Sequence, residues 1–175
     1  PEQRSEKDVL RIGFLSAYLR NHTVGQHFRG LIEQFSREKF EVVVFHTHSN
    51  QDQISTIINQ TADKVVYLQK NLERDRGIIE KEKLDILLYL DIGMDPYTYF
   101  LSFSRLAPVQ AVTIGHAETS GVPNIDYFLS SEVSELPGAD DHYSEHLIKL
   151  SVLPTFYYQP EVPVKQYIRS DFGLP

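Results

Sequence analysis

The chain has 175 residues, of which 41% are hydrophobic and 23% charged, with no cysteine and a formal net charge of −7. That length fits one domain with a packed core, and the missing cysteines exclude disulfides and thiolate metal sites. The acidic balance disfavours a nucleic-acid partner, whose phosphates need clustered Lys and Arg, and no run approaches the ~18 apolar residues of a membrane span.

The first residues, PEQRSEKDV, are charged and lack the apolar stretch of a signal peptide, so 1–9 reads as a linker or boundary. Leu10–Ser16 is a short apolar run that predicts a buried strand. Thr23 followed by Gln26 reads as a capping box, and Phe28, Leu31, Ile32 and Phe35 then recur at helical spacing on one face. Phe40–His46 is a β-branched run and predicts a strand; Ile54, Ile57 and Ile58 mark a second helix, with Ser49 or Asn50 as its cap. Strands at Lys64–Leu68 and Leu84–Leu90 bracket a charged helix over Leu72–Lys83. A helix over Tyr97–Leu106 precedes Pro108, and strands follow at Val109–Ile114 and Tyr127–Ser130, with LIKL (147–150) as another. Strands alternating with helices predict an α/β fold: a Rossmann-like parallel sheet with helices on both faces. Residues 10–153 form that lobe, and 154–175, rich in Pro and Tyr, reads as an extended connector whose Phe156, Tyr157 and Tyr158 pack back on the lobe.

In open parallel sheets ligands gather beyond the carboxyl ends of the strands. Three turns there carry chemistry. The first, after strand one, holds Asn21 and His22 beside a helix start, where free backbone N–H groups favour an anion and a neutral imidazole. The second holds Asp91 and Asp95; Asp95-Pro96 is also a common helix start, and the structural reading is favoured. The third runs Gly115, His116, Ala117, Glu118, Thr119, Ser120, Gly121: glycines permit close backbone approach and hydroxyls can bond sugar or phosphate oxygens, unless they only tie the loop together. For His22 and Asn21, too, tying the turn together competes with a catalytic or binding role. His46 and His48 point one way on a strand, but no third ligand joins them, so a solvated or edge pair is expected rather than a metal site. His142, Glu145 and His146 fit H-x-x-E-H, though without a long helix to present them. There is no G-x-G-x-x-G, Walker A loop or G-x-S-x-G elbow.

RIGFLSAYLRNHTVG, LDILLYLDIGMD, RLAPVQAVTIGHAETSGVPNIDYFLSS and HYSEHLIKLSVLPTFYYQPE, in that order and spacing, resemble the N-terminal half of the catalytic region of the O-linked N-acetylglucosamine transferase and SPINDLY-like family, glycosyltransferase family 41. The IGMD-x-x-T-Y-F version is most similar to a bacterial branch that includes cytoplasmic N-glycosyltransferases. The resemblance implies the N-terminal, acceptor-side lobe of a GT-B enzyme using inverting chemistry. Such an enzyme passes a sugar, N-acetylglucosamine or a hexose, from a UDP-sugar to a protein side chain, in the cytoplasm, with no cofactor and no metal held by a D-x-D motif. It also implies tetratricopeptide repeats and a C-terminal lobe as further parts, with the donor bound mainly by that second lobe and the lobe alone inactive. His22 matches a family histidine at the cleft, and Gly115–Gly121 matches a G-Y-P-G-T-S-G-like loop in which His116 and Ala117 stand for Tyr and Pro; Ile114 stands where an aromatic is common. The turns and the resemblance together make His22 the catalytic candidate and Asn21, Asp95, Gly115, His116, Thr119 and Ser120 the binding candidates, Asn21 and Asp95 from the turns alone. Another GT-B enzyme, such as a UDP-sugar epimerase, and a non-catalytic Rossmann-like interaction module are the competing readings.

Overall fold

The β-branched runs become strands and the amphipathic stretches between them become helices. The computed structural model describes residues 9–49, 51–159 and 167–175. Its strands are β1 (Leu10–Ser16), β2 (Phe40–His46), β3 (Lys64–Tyr67), β4 (Ile86–Tyr89), β5 (Val109–Thr113), β6 (Tyr127–Ser131) and β7 (His146–Leu150). The helices α1 (Thr23–Gln34), α2 (Gln53–Thr61), α3 (Leu72–Lys81) and α4 (Pro96–Ser102) separate the first five. All strand pairs are parallel. They form one sheet in the order β3-β2-β1-β4-β5-β6-β7, so the strand order reverses between β1 and β4.

Alternate residues of each strand feed two cores. Ile12, Phe14, Val42 and Val44 pack with Val24, Phe28 and Ile32 of α1 and Ile58 of α2. Leu15, Val43, Phe45 and Leu87 face the other way, toward Ile79 of α3 and Leu101 of α4. Helices therefore cover both faces, as the continuous apolar runs require. Phe28 and Ile32 are fully buried, a gain of about 1.5–3 kcal/mol each. On the α1 side the sheet from β4 to β7 carries no helix among the described residues. Leu88, Ala111, Leu129 and Ile148 line an apolar cavity of about 370 Å³ there.

Several expected boundaries move. The cap of α1 is His22, with Thr23 already helical. The cap of α2 is Asp52 in a reciprocal box with Ser55, in place of Ser49 or Asn50, the latter outside the described residues. The fourth helix ends at Ser102 because the chain must turn there: the buried Gln110 side chain donates to the carbonyls of Ser104 and Asn124 and accepts from Leu106 N. Arg105 closes the same clasp on Asp126 through two bonds of 2.5 and 2.9 Å. The most distinctive run of the sequence, R-L-A-P-V-Q with I-D-Y, thus serves to lock β5 to β6 at their amino ends.

The chain after β7 returns to α1. Phe156 N donates to His27 O at 3.1 Å, and the Tyr158 hydroxyl bonds the Glu33 carboxylate. Residues 160–166 lie outside the described residues, and 169–172 form a short exposed 3₁₀ turn.

Candidate functional site

Because β1, β4 and β5 are parallel neighbours, the three turns emerge on one edge, at the point where strand order reverses. They touch. Ala17 N donates to Asp91 Oδ2 at 3.1 Å, tying the first turn to the second. The Tyr18 hydroxyl donates to Met94 O at 3.1 Å. Gly115 abuts the end of β4 so closely that a Cβ there would sit 1.6 Å from Leu90 O. The His116 ring rests on Gly93, joining the third turn to the second.

His22 opens α1. Its Nδ1 accepts from Val24 N at 3.2 Å, and its ring stacks on Tyr18 with centroids 4.5 Å apart. Burial first, and then the Arg20 guanidinium, hold its pKa below the usual histidine value, so the ring is neutral. A neutral ring whose Nδ1 accepts must carry its proton on Nε2. His22 therefore presents an N–H donor, and its one basic nitrogen is occupied by the helix cap.

The other candidates divide. Asn21 N donates to Asp52 Oδ2 at 2.6 Å and its Oδ1 accepts from Gln26 at 3.2 Å, so Asn21 ties the turn to both α1 and α2. Asp95 caps α4, accepting from Thr98 N at 2.9 Å, and also borders two surface cavities. Thr119 and Ser120 give their hydroxyls to Glu145: Thr119 Oγ1 at 2.6 Å, Ser120 N at 2.8 Å, and the Ser120 hydroxyl in a shorter contact. Their hydrogens are spent on holding the loop.

The first histidine pair departs from expectation and the second follows it. His46 is buried on a strand between β1 and β3, its Nε2 2.7 Å from Asn59 Oδ1, so it is neither solvated nor at an edge. His142 ends a 3₁₀ turn and His146 starts β7, so they do not share a helix face, and Glu145 between them is the loop anchor. Among the described residues no cluster of three His, Asp or Glu side chains is placed to hold a metal.

Sequence reasoning missed Tyr18, Asp52 and Glu145 as organisers of this edge. Glu145 had a signal, its place in H-x-x-E-H, but its partners lie 25 and 26 residues away. Asp52 and Tyr18 act through contacts that no local spacing announces.

A doubly wound parallel sheet with a polar carboxyl edge at its switch point, one histidine capping the first helix and a second packed against the next turn, defines a Rossmann-like lobe of the GT-B type. The sequence profile of glycosyl transferase family 41 matches residues 1–160, and the chain belongs to that family. It is 34% identical over 83 residues, 47% of this chain and 13% of the relative, to a UDP-glucose:protein N-beta-glucosyltransferase of Actinobacillus pleuropneumoniae serotype 5b. It is 27% identical over 150 residues, 81% of this chain and 16% of the relative, to the probable UDP-N-acetylglucosamine–peptide N-acetylglucosaminyltransferase SPINDLY of Solanum lycopersicum. Among solved structures, a mutant O-GlcNAc transferase of Thermobaculum terrenum superposes with a TM-score of 0.78 at 25% identity, over 85% of this chain and 29% of that one. The chain thus spans less than a fifth of the length of these curated relatives. No described helix is long and apolar enough to cross a membrane.

Proposed function

We propose that this chain is the acceptor-side lobe of an inverting glycosyltransferase that moves a sugar, N-acetylglucosamine or a hexose, from a UDP-sugar to a protein side chain. The observation that carries the reading is the meeting of three loops at the switch point, with a neutral His22 whose Nε2–H is not used by the helix cap. The named relatives share a UDP-sugar donor and a polypeptide acceptor, and that common chemistry is what we carry to this chain.

In an inverting transfer the acceptor atom bonds the anomeric carbon from the side opposite UDP, UDP leaves with the electron pair of the broken C–O bond, and the acceptor's proton passes to a base outside this lobe's described groups or to the departing diphosphate. His22 contributes a directed hydrogen bond to a sugar or acceptor oxygen, which orients the reacting groups. In this reading His22 acts as donor rather than base, since its Nδ1 accepts from Val24 N. Asp91 and Tyr18 hold the first turn against the second and keep that donor in place. His116, packed on Gly93, forms the neighbouring wall. The nucleotide is held mainly by a second lobe, since no glycine-rich phosphate loop occurs here. Tetratricopeptide repeats, that second lobe and a cytoplasmic location belong to the same reading.

The test is transfer of radiolabelled sugar from UDP-glucose and UDP-N-acetylglucosamine to acceptor peptides, by this lobe alone and by the polypeptide that joins it to a donor-binding lobe. Label is expected in peptide only with both lobes. Micromolar binding of UDP by this lobe alone, or interconversion of free UDP-sugars without transfer, would overturn the reading.

A further inference from the structure

One cavity on this edge has chemistry that the transfer step does not use. It has a volume of about 360 Å³ and is walled by Tyr18, Arg20, Thr47, His48, Lys70 and Asp95, at the carboxyl ends of β1, β2 and β3. Thr47 is 2% exposed, yet its hydroxyl has no hydrogen-bond partner among the described residues. A buried hydroxyl left unpaired is costly, and this one belongs to a residue in the wall of the cavity.

Two cations, Arg20 and Lys70, line the same cavity. Among the described residues neither Arg20 nor Lys70 takes part in an ion pair. The Arg20 guanidinium lies 5.5 Å from the centroid of the Tyr18 ring. Lys70 has φ 59°, in the left-handed region that non-glycine residues seldom occupy. Its backbone is held there by the buried Asp75 carboxylate, which accepts from Gln69 N at 3.0 Å and from Asn71 N at 3.1 Å. A strained backbone that brings a lysine to the rim of a cavity points to a ligand for that lysine. With imidazoles counted as neutral, Arg20 and Lys70 against Asp95 leave the walls one positive charge in excess. That balance suits a monoanion such as a carboxylate better than a phosphate dianion or a diphosphate.

The position says whose carboxylate. Tyr18 is at once a wall of the cavity and the ring stacked on His22, so the cavity lies one aromatic ring from the proposed transfer site. An extended peptide rises about 3.3 Å per residue, so a side chain one to three residues from the acceptor residue reaches it. We propose that this cavity is a carboxylate subsite for the acceptor polypeptide, receiving an Asp or Glu within about three residues of the one that takes the sugar. Arg20 and Lys70 supply the charge. The inference rests on the reading of the chain as an acceptor-side lobe.

The test uses two peptides that differ only in one Asp against Asn, titrated into the ¹⁵N-labelled chain and into its Arg20→Gln/Lys70→Gln variant, with inorganic phosphate and UDP as further probes. The acidic peptide is expected to move the amide signals of Thr47, Lys70 and Ala17 and to bind about tenfold more tightly than its amide partner. The variant, checked for folding by its spectrum, is expected to close that gap. Equal binding of the two peptides, or a gap that survives in the variant, overturns the proposal. So does phosphate or UDP displacing the acidic peptide from these amides at lower concentration. Sugar transfer by the two-lobed polypeptide is measured in parallel: if it fails while the acidic peptide still binds here, the cavity is a carboxylate site, but the glycosyltransferase reading falls and the acceptor role of the cavity with it.

Discussion

The imidazole of His116 rests on the α-carbon of Gly93: a Cβ there would stand 2.3 Å from His116 Cδ2. Gly93 also has φ 102°, which an L side chain rarely adopts. Gly93→Ala therefore carries two penalties, a strained backbone and a displaced ring. Gly121→Ala is the control, because Gly121 has φ 65° but open space where its Cβ would go. We expect Gly121→Ala to cost about 1 kcal/mol of stability, and Gly93→Ala clearly more, with a loss of transfer that Gly121→Ala does not share. Urea midpoints of the two variants, beside their transfer rates, decide it. Equal midpoints would mean that His116 yields without cost.

A second expectation separates the two roles of the His22 ring. His22→Ala removes both the cap and the Nε2–H donor. His22→Asn keeps a good capping oxygen for the N–H groups of α1 and removes only the donor. The Ala variant should lose about 1 kcal/mol of stability and the Asn variant almost none. Both should lose transfer by about tenfold, the size of one directed hydrogen bond. A loss of 10²–10⁴-fold in both is the signature of a general base instead. Because the pKa of His22 is held below the usual value, its ring stays neutral to lower pH, and activity should not decline on its account as pH falls from 8 toward 6.5.

How much of this was legible in the sequence depends on how local its cause is. Leu10–Ser16 and Phe40–His46 were readable to the residue, because a β-branched or apolar run between polar turns has one outcome in a covered sheet. The strand at Leu84–Leu90 shortens to Ile86–Tyr89, although Asp85 N and Leu90 N still donate to Arg11 O and Leu15 O across to β1. The shared edge followed from parallel strands alone. The division of labour on that edge did not. Thr119 and Ser120 look available to a sugar in any local reading, and only the fold brings Glu145 beneath them. A histidine cap was equally hidden, since Thr23 is the more usual capping residue and the imidazole takes its place one position earlier. Lys70 gave no signal, because its backbone is set by Asp75.

The return of the chain to α1 rests on another glycine. Gly30 is buried in α1, and a Cβ there would lie 2.5 Å from Phe156 Cδ1 and 2.9 Å from Tyr158 Cε2. Alanine in a helix interior is ordinarily a gain of about 0.5–1 kcal/mol over glycine. Here the clash reverses part of the molecule: Gly30→Ala is expected to strengthen the helix and to expel the aromatic pair. The readout is hydrogen exchange at Phe156 N, which bonds His27 O. Faster exchange at that amide, with unchanged protection in β1 and β2, is expected; unchanged exchange would place the packing of 154–159 elsewhere.

The last expectation concerns Asp91, buried where β1 and β4 part. Burial pushes its carboxyl up to about 7, against the bonds from Ala17 N and the Ser16 side chain, which favour the charged form; the Asp95 charge adds to the rise. The folded chain therefore keeps a proton on Asp91 that the unfolded chain releases near pH 4. Between those values the folded state binds more protons, so stability must fall as pH rises from about 4 to about 7, and it levels off above. The full difference is at most about 4 kcal/mol, three units at 1.36 kcal/mol each. Histidines with lowered values, His22, His27 and His46, act in the opposite sense, raising stability as pH climbs toward 6.5. They are common to wild type and variant and cancel in a comparison. Asp91→Asn keeps an acceptor for Ala17 N and carries no titrating proton. Its stability relative to wild type should improve steadily from pH 4 to pH 7 and then hold. Paired urea unfolding curves across that range test it, and curves that stay parallel at every pH would mean that Asp91 ionises in the folded chain as readily as in the unfolded one.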